Sequence, residues 1–152
     1  MSEPPPVMLD THVWIWLMEG NLAIPTAARK SIEQAAAAGQ LWVSAISTWE
    51  VAMLAAKGRV VFSLDVQTWI DQALAAPGLR LAPLSPEIAV ASAHLPGSFD
   101  GDPADRILVA TARALTARLA TADRAILAYG RRGHVSTLSL AATRPSALRR
   151  PL

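Results

Sequence analysis

Short apolar runs alternate along the chain with longer segments of helical periodicity. Five runs predict strands, at residues 7–9, 41–43, 79–84, 118–121 and 134–137. The intervening segments, bounded mainly by glycine, proline and capping residues, predict helices over residues 10–19, 25–39, 44–58, 65–76, 86–93, 102–117 and 123–129. Because strands alternate with helices and no short hairpin turn joins two of them, the pattern indicates an α/β fold with a mostly parallel central sheet.

No internal repeat or linker divides the chain, so we expect a single domain over residues 7–140. Residues 1–6, which include three consecutive prolines, are expected to be a disordered lead, and residues 141–152 a basic C-terminal tail. From residue 124 onward there are six arginines and no acid. This segment either meets phosphates or an acidic partner, or is simply a solvated arginine-rich tail.

The composition is that of a folded globular protein, because 52% of the 152 residues are hydrophobic and 17% are charged. The absence of cysteine excludes disulfides and thiolate zinc sites, and it fits a reducing compartment. We find neither a targeting signal nor a window that approaches the roughly 20 apolar residues of a membrane span. A cytoplasmic protein that makes no membrane contact is therefore expected.

Three acidic residues lie at or near the predicted carboxyl edge of the sheet, where parallel sheets place their functional sites. Asp10 directly follows the first predicted strand, and Asp123 follows the strand at residues 118–121. Asp105 lies in the first turn of a helix that leaves a loop. Since ligands bind at the carboxyl ends of parallel strands, we expect these three carboxylates to converge.

Glu50 is the acid that is hardest to explain structurally. Its neighbours at i−4, i+3 and i+4 are apolar (Ile46, Met53 and Leu54), and no lysine or arginine lies within one turn. A carboxylate on such a face is costly to desolvate. Either a bound metal or a distant arginine compensates for its burial, or Glu50 lies at the edge of the face.

Each of the other acids also has a structural interpretation. Asp102, Pro103 and Asp105 form a good helix start, with an acidic N-cap, a proline at the first position and an acid at the third. Asp10 and Asp123 likewise stand where N-caps are expected. A single acid is thus weak support for a site, whereas the set of four is better support.

Smaller polar residues near these acids have two interpretations. Thr11 and Thr121 either orient a metal-bound water or a phosphate oxygen, or they cap helices. Arg106 either holds Asp105 in place or touches substrate. His12 is expected on a different side of its helix and in a structural role. The five tryptophans are expected in core or dimer-surface packing, and base stacking by one of them has no support from the sequence.

Clustered carboxylates raise one another's pKa values unless a cation neutralises them. Oxygen ligands without cysteine favour hard ions such as Mg²⁺ or Mn²⁺. Such an ion acidifies a bound water and neutralises the charge that builds on a phosphoryl oxygen. We therefore predict metal-dependent phosphodiester hydrolysis, with a set of residues that are both catalytic and metal-binding: Asp10, Glu50, Asp105 and Asp123.

Four segments, taken in order, resemble the motifs of PIN-domain proteins, and most closely those of VapC-type toxins of type II toxin–antitoxin pairs. The segments are residues 8–12 (MLDTH), 43–50 (VSAISTWE), 102–106 (DPADR) and 119–123 (LATAD). Residues 51–60 and 107–110 are also similar to this subgroup, so that the resemblance extends from Val7 to about Val135. The subgroup often has a histidine where this chain has Asp100 and an aromatic residue where it has Ala104.

The resemblance implies a three-layer α/β/α domain and an Mg²⁺- or Mn²⁺-dependent endoribonuclease. It maps the family's invariant acids onto Asp10, Glu50, Asp105 and, as the fourth, Asp123. It also implies a homodimer that is inhibited by a cognate antitoxin, whose tail enters the acidic groove. Asp105 fits the family's register better than Asp102 as the main ligand, although the choice between them stays open. Asp102 is expected to cap the helix and also to stand beside the site, where it contacts substrate or supports the ligands.

Two other classes of function are weighed against this one. The first is a catalytically silent PIN-like module that only binds proteins; the intact acids argue against it. The second is another acid-centred phosphotransfer domain. A haloacid-dehalogenase-type enzyme needs a second aspartate where this chain has His12, and a receiver domain needs paired acids near its first strand and a late lysine, which the chain lacks.

Overall fold

The computed structural model describes residues 3–21 and 23–141, so the predicted basic tail from residue 142 onward and the first two residues of the lead lie outside it. The elements follow the predicted alternation. They are β1 (Val7–Leu9), α1 (Thr11–Met18), α2 (Thr26–Ala37), β2 (Leu41–Ser44), α3 (Ala45–Ala56), α4 (Val66–Leu74), β3 (Leu79–Ala82), α5 (Pro86–Ala93), α6 (Pro103–Leu115), β4 (Arg118–Thr121), α7 (Arg124–Arg131) and β5 (Thr137–Ser139).

The five strands form one sheet in the order β3-β2-β1-β4-β5. All four pairings are parallel, so the sheet is wholly rather than mostly parallel. The chain builds outward from β1 to β3 on one side, and then crosses to β4 on the other side of β1. The strand order therefore reverses between β1 and β4, which is where open α/β sheets place their ligands.

Residues alternate between the two faces of the sheet, and each face is covered by helices. Val7 and Leu9 of β1 join a core that includes Trp14 and Ile32 from the helices on that side. Met8, between them, joins a second core with residues of α6 and α7 on the opposite side. The predicted three-layer α/β/α arrangement is confirmed.

The prediction of the last strand was wrong by three residues. We expected it at residues 134–137, but β5 begins at Thr137, which pairs with Leu119. The reason is that His134 lies in the turn that follows α7: its ring lies 4.7 Å from that of Tyr129, and its N–H donates to the Tyr129 carbonyl. Only after this turn is the chain free to pair with β4.

The N-terminal end of the described chain bears on the predicted lead at residues 1–6. Residues 3–6 adopt no helix or strand, but the Pro6 carbonyl accepts a hydrogen bond from the Arg118 N–H at 2.8 Å, which extends the pairing of β1 with β4 by one residue.

Within residues 3–21 and 23–141, no helix is long and apolar enough to cross a membrane.

Candidate active site

A cavity of about 390 Å³ opens at the carboxyl edge of the sheet, at the point where the strand order reverses. It brings together all four predicted acids and adds Asp102. Neither lysine nor arginine is among its lining residues, which are Asp10, His12, Val13, Trp16, Glu50, Asp102, Asp105, Ala122 and Asp123. The cavity therefore concentrates negative charge that the lining itself does not neutralise.

Asp10 is held at the end of β1 by the sheet, since its N–H donates to the Ala120 carbonyl at 3.0 Å. It occupies the N-cap position of α1, but its carboxylate caps no backbone N–H. Instead, the carboxylate accepts the Thr121 hydroxyl at 2.6 Å. Burial raises the pKa of Asp10, and the bond from Thr121 offsets part of that rise. Capping, the structural interpretation of this acid, is not what its side chain does.

Thr121 also forms a hydrogen bond with Asp123 and so links it to Asp10. Its hydroxyl oxygen accepts the Asp123 N–H at 3.0 Å while its proton is donated to Asp10. One carboxylate oxygen of Asp123 accepts the Ile126 N–H at 3.0 Å and so caps α7. Asp123 thus caps its helix, as the structural interpretation predicts, and also lines the cavity.

Glu50 reaches the cavity from α3 and is held there by the Thr11 hydroxyl, which is itself bonded to the Ser47 hydroxyl. The Thr11 hydroxyl donates to Glu50 at 2.5 Å, and the Ser47 hydroxyl lies 2.7 Å from the same Thr11 oxygen. Because a hydroxyl has a single proton, Ser47 must be the donor to Thr11. A threonine, rather than a distant arginine, therefore supports Glu50. Burial, reinforced by the charges of nearby aspartates, still raises the pKa of Glu50.

Asp102 and Asp105 divide two tasks at the start of α6. Asp102 is exposed and accepts the Asp105 N–H at 2.9 Å, so it caps the helix as predicted. Asp105 is half-buried, and its pKa rises to about 7 because of burial and then because of the charge of Asp102, with smaller contributions from the other three carboxylates. Ionisation of Asp105 is therefore unfavourable in the metal-free protein.

The Arg106 guanidinium contacts the backbone rather than the Asp105 carboxylate. Its guanidinium donates to the carbonyl oxygens of Ser92, at 2.9 Å, and Phe99, at 2.6 Å. It does not line the cavity. Arg106 therefore holds the loop that leads into α6, and it acts on Asp102 and Asp105 only through the backbone.

Sequence reasoning missed the contribution of α1. His12 was expected on a different side of the helix, but it is exposed and lines the cavity together with Trp16, one turn further on. The two rings lie 6.5 Å apart. The signal was present in the spacing, because residues at i and i+4 share a helix face and α1 starts at the carboxyl end of β1. Asp100, the departure noted above, is exposed and lies outside the lining.

The five carboxyl groups suit a hydrated hard cation. Among the residues that the structure describes, no three histidine or carboxyl side chains are close enough to bind one ion directly. Mg²⁺ commonly keeps several waters and takes only one or two carboxylates directly. A partly hydrated ion that some of the acids reach through water therefore fits the cavity.

Comparisons with known proteins agree with this geometry. The PIN-domain sequence profile matches residues 7–132. Ribonuclease VapC22 of Mycobacterium tuberculosis is 37% identical over 123 residues, which are 81% of this chain and 91% of that protein.

Two solved structures are similar in fold alone. VapBC2 from Rickettsia felis, bound to a promoter DNA fragment, has 17% identity and a TM-score of 0.63, over 88% of this chain and 97% of that one. DNA-bound VapBC from Salmonella typhimurium has 13% identity and a TM-score of 0.65, over 90% and 98% of the respective chains. On the sequence matches and the shared fold, the chain belongs to the PIN-domain family and is a VapC-type member of it.

Proposed function

We propose that this chain is a metal-dependent endoribonuclease that hydrolyses RNA phosphodiesters, and that it is the toxin of a toxin–antitoxin pair. The observation that supports this most directly is the gathering of five carboxyl groups, with neither lysine nor arginine in the lining, at the switch point of a PIN-family sheet. The relative with 37% identity is itself named a ribonuclease. A single domain over residues 7–140 would contain the whole activity.

The catalytic and metal-binding residues of the proposal are Asp10, Glu50, Asp105 and Asp123, and the ion is Mg²⁺ or Mn²⁺. Such an ion, when bound, supplies an acidified water and neutralises charge on the phosphoryl oxygen. The chain supplies orientation: the hydroxyl groups of Thr11 and Thr121 each take one carboxylate oxygen, which leaves the other oxygen of Glu50 and Asp10 for the cavity. Carboxylates that bind metals are usually oriented by hydrogen bonds of this kind.

We also propose a cognate antitoxin, a homodimer and a cytoplasmic location. The solved relatives from Rickettsia felis and Salmonella typhimurium are VapBC assemblies. A cavity lined by five acids favours a cationic antitoxin segment at the same place that RNA would occupy. Antitoxin binding would then block the site directly.

The experiment is cleavage of end-labelled single-stranded RNA by the purified chain. We expect cleavage with Mg²⁺ or Mn²⁺, loss of cleavage in EDTA, and recovery when the metal is restored. Asp105→Asn should lose at least about a hundredfold in rate, as sites that lose a group acting on transition-state charge commonly do. Asp71→Asn, on the exposed face of α4, is the matched control and should cleave normally.

The catalytically silent module makes the opposite prediction. It requires that neither metal restores cleavage and that calorimetry detects no Mg²⁺ or Mn²⁺ binding. Full activity in EDTA would instead contradict the metal-dependent mechanism while leaving the nuclease in place.

A further inference from the structure

The cavity has two chemically distinct walls. The acidic wall comes from the strand ends, α3 and the start of α6, and it holds all five carboxyl groups. The second wall comes mainly from α1 and presents His12, Val13 and Trp16, with Ala122 beside them. We call these four residues the α1 wall. It contains no carboxyl group.

The two walls favour different parts of an RNA chain. A phosphate is repelled by the acidic wall unless a cation lies between them, so phosphate binding there requires the metal. A nucleobase is uncharged and has a flat apolar face, and it packs well against aromatic rings and aliphatic groups. The α1 wall is therefore the surface against which a base can rest while its phosphate reaches the acids.

Trp16 is the residue of the α1 wall best suited to this contact. Its indole is partly exposed, and its other side packs against the core beneath α1, which fixes the ring. The exposed imidazole of His12 lies one turn earlier, with its ring centre 6.5 Å away and its plane tilted by 53°. Together the two rings border one side of the cavity.

The other tryptophans are not placed for this role. Trp14 and Trp69 are buried and pack edge to face, and Trp42 lies beneath the Arg80 guanidinium. Trp49 is 53% exposed, but it is outside the lining of the cavity. Trp16 alone of the five lines the cavity.

We propose that Trp16 forms a nucleobase subsite, in which a base next to the scissile phosphate stacks on the indole at the edge of the α1 wall. This inference rests on the proposed ribonuclease function and adds to it the part of the substrate that the chain recognises. Because every base has a π face, the subsite would select for an unpaired, unstacked nucleotide rather than for one sequence.

The test pairs protein variants with abasic RNA. We would measure kcat and KM of the wild type, Trp16→Leu and Trp16→Phe on an RNA with one cleavage site, and on RNAs with an abasic sugar at either flanking position. Trp16→Leu should raise KM about tenfold with kcat within about twofold, because uniform binding is lost, and Trp16→Phe should lose less. Trp49→Leu is the matched control and should match the wild type.

The decisive measurement combines the Trp16→Leu protein with the abasic RNA. An abasic sugar at the stacked position should raise the KM of the wild type about tenfold and leave that of Trp16→Leu unchanged, because the partner of the base is already gone. Equal losses in both proteins at both flanking positions would overturn the subsite. So would a Trp16→Leu protein that melts like the wild type and has an unchanged KM.

Failure of the proposed function has a different signature. If the wild type cleaves no RNA, the same RNAs are tested by equilibrium binding with fluorescence anisotropy. If both Trp16 variants bind the intact RNA more weakly than the wild type does, but bind the abasic RNA as well as the wild type does, the subsite is supported without the nuclease. The same affinity in all variants would overturn it.

Discussion

Asp10 and Asp65 have nearly the same local backbone structure, but their pKa values are shifted in opposite directions. Each precedes a helix in the N-cap position, with φ and ψ of −63° and 155° for Asp10 and −64° and 155° for Asp65. Each accepts a threonine hydroxyl at 2.6 Å, from Thr121 and Thr68 respectively. Yet the pKa of Asp10 is raised, and the pKa of Asp65 is lowered.

The difference lies in solvent and in what the second carboxylate oxygen does. Asp65 is exposed, and its other oxygen accepts the Thr68 N–H at 3.1 Å, so its hydrogen bonds lower its pKa. Asp10 is buried and caps nothing, so desolvation outweighs the hydrogen bond from Thr121. The same backbone conformation therefore stabilises the start of α4, whereas at α1 it presents a buried carboxylate to the cavity.

The largest expected contrast is in activity. Asp10→Asn should lower RNA cleavage by at least about a hundredfold, because it removes a proposed metal ligand while keeping the shape of the side chain. Asp65→Asn should stay within about twofold of the wild type. Rates on labelled RNA with Mg²⁺ measure both, and comparable losses in the two variants would show that the contrast between the two aspartates is not functional.

The threonine partners give the next contrast. Thr121→Val removes the donor to Asp10 and the acceptor of the Asp123 N–H, so metal affinity should fall about 10- to 100-fold, as it does when other residues that hydrogen-bond to metal ligands are replaced. Thr68→Val removes an equally close bond at an exposed site and should leave metal affinity unchanged. Calorimetric titration with Mn²⁺ distinguishes them, and equal affinities would mean that Thr121 does not support the site.

Asp105 contributes to the pH dependence of stability, in the same direction as Asp10 and Glu50, whose pKa values are also raised. In the metal-free folded protein its pKa is about 7, against an ordinary value of 3.8, so the folded state holds the extra proton between these values. Stability from this group is therefore greatest below about pH 4 and is lost as the pH rises to about 7. The lowered pKa of Asp65 acts only below 3.8, where its stabilisation is lost as the pH falls.

We thus expect the metal-free protein to melt higher at pH 5 than at pH 8. Asp105→Asn should reduce the difference in the free energy of unfolding between pH 5 and pH 8 by about 1–2 kcal/mol, after allowance for solvent screening of a half-buried group. Thermal melts in EDTA measure the effect, with Asp71→Asn as the control, and saturating Mg²⁺ should also reduce the difference. An unchanged difference in Asp105→Asn would contradict the assignment.

The smallest expected effect is the loss of the α4 cap. Asp65→Ala removes the acceptor of the Thr68 N–H, and a lost N-cap lowers Tm by about 2–4 °C in a domain of this size. Asp10→Ala should not show this capping loss, because the Asp10 side chain caps nothing. Thermal melts at pH 7 in EDTA compare them, and a larger drop for Asp10→Ala would assign it a structural role.

Sequence reasoning located most of this site because two of its rules are physical and general. Parallel strands bring their carboxyl ends to one edge, so Asp10 and Asp123 could be placed together before any coordinates, and the poor structural fit of Glu50 marked a third acid. Long-range partners were out of reach. The Thr11 hydroxyl meets Glu50 across 39 residues of chain, and no periodicity encodes such a contact.

Side-chain direction was the other limit. Arg106 stands next to Asp105 in the chain, yet its long side chain reaches back to one carbonyl group in α5 and one in the loop before α6, which adjacency in sequence does not predict. His12 was misplaced because its direction was judged relative to Asp10 on a common helix. Asp10 precedes the helix, so helical spacing between the two residues did not apply.

The hydrogen bond from Thr121 to Asp10 joins residues 111 positions apart. A domain generally folds as a unit, while its chain is synthesised from the N-terminus onward. A nascent chain that stops short of β4 lacks Thr121 and Asp123, and β1 then lacks the neighbour that completes the cavity. Under the proposed function, the nuclease site cannot assemble on the ribosome until β4 and the start of α7 have been translated, so that the order of the strands delays the onset of RNA cleavage.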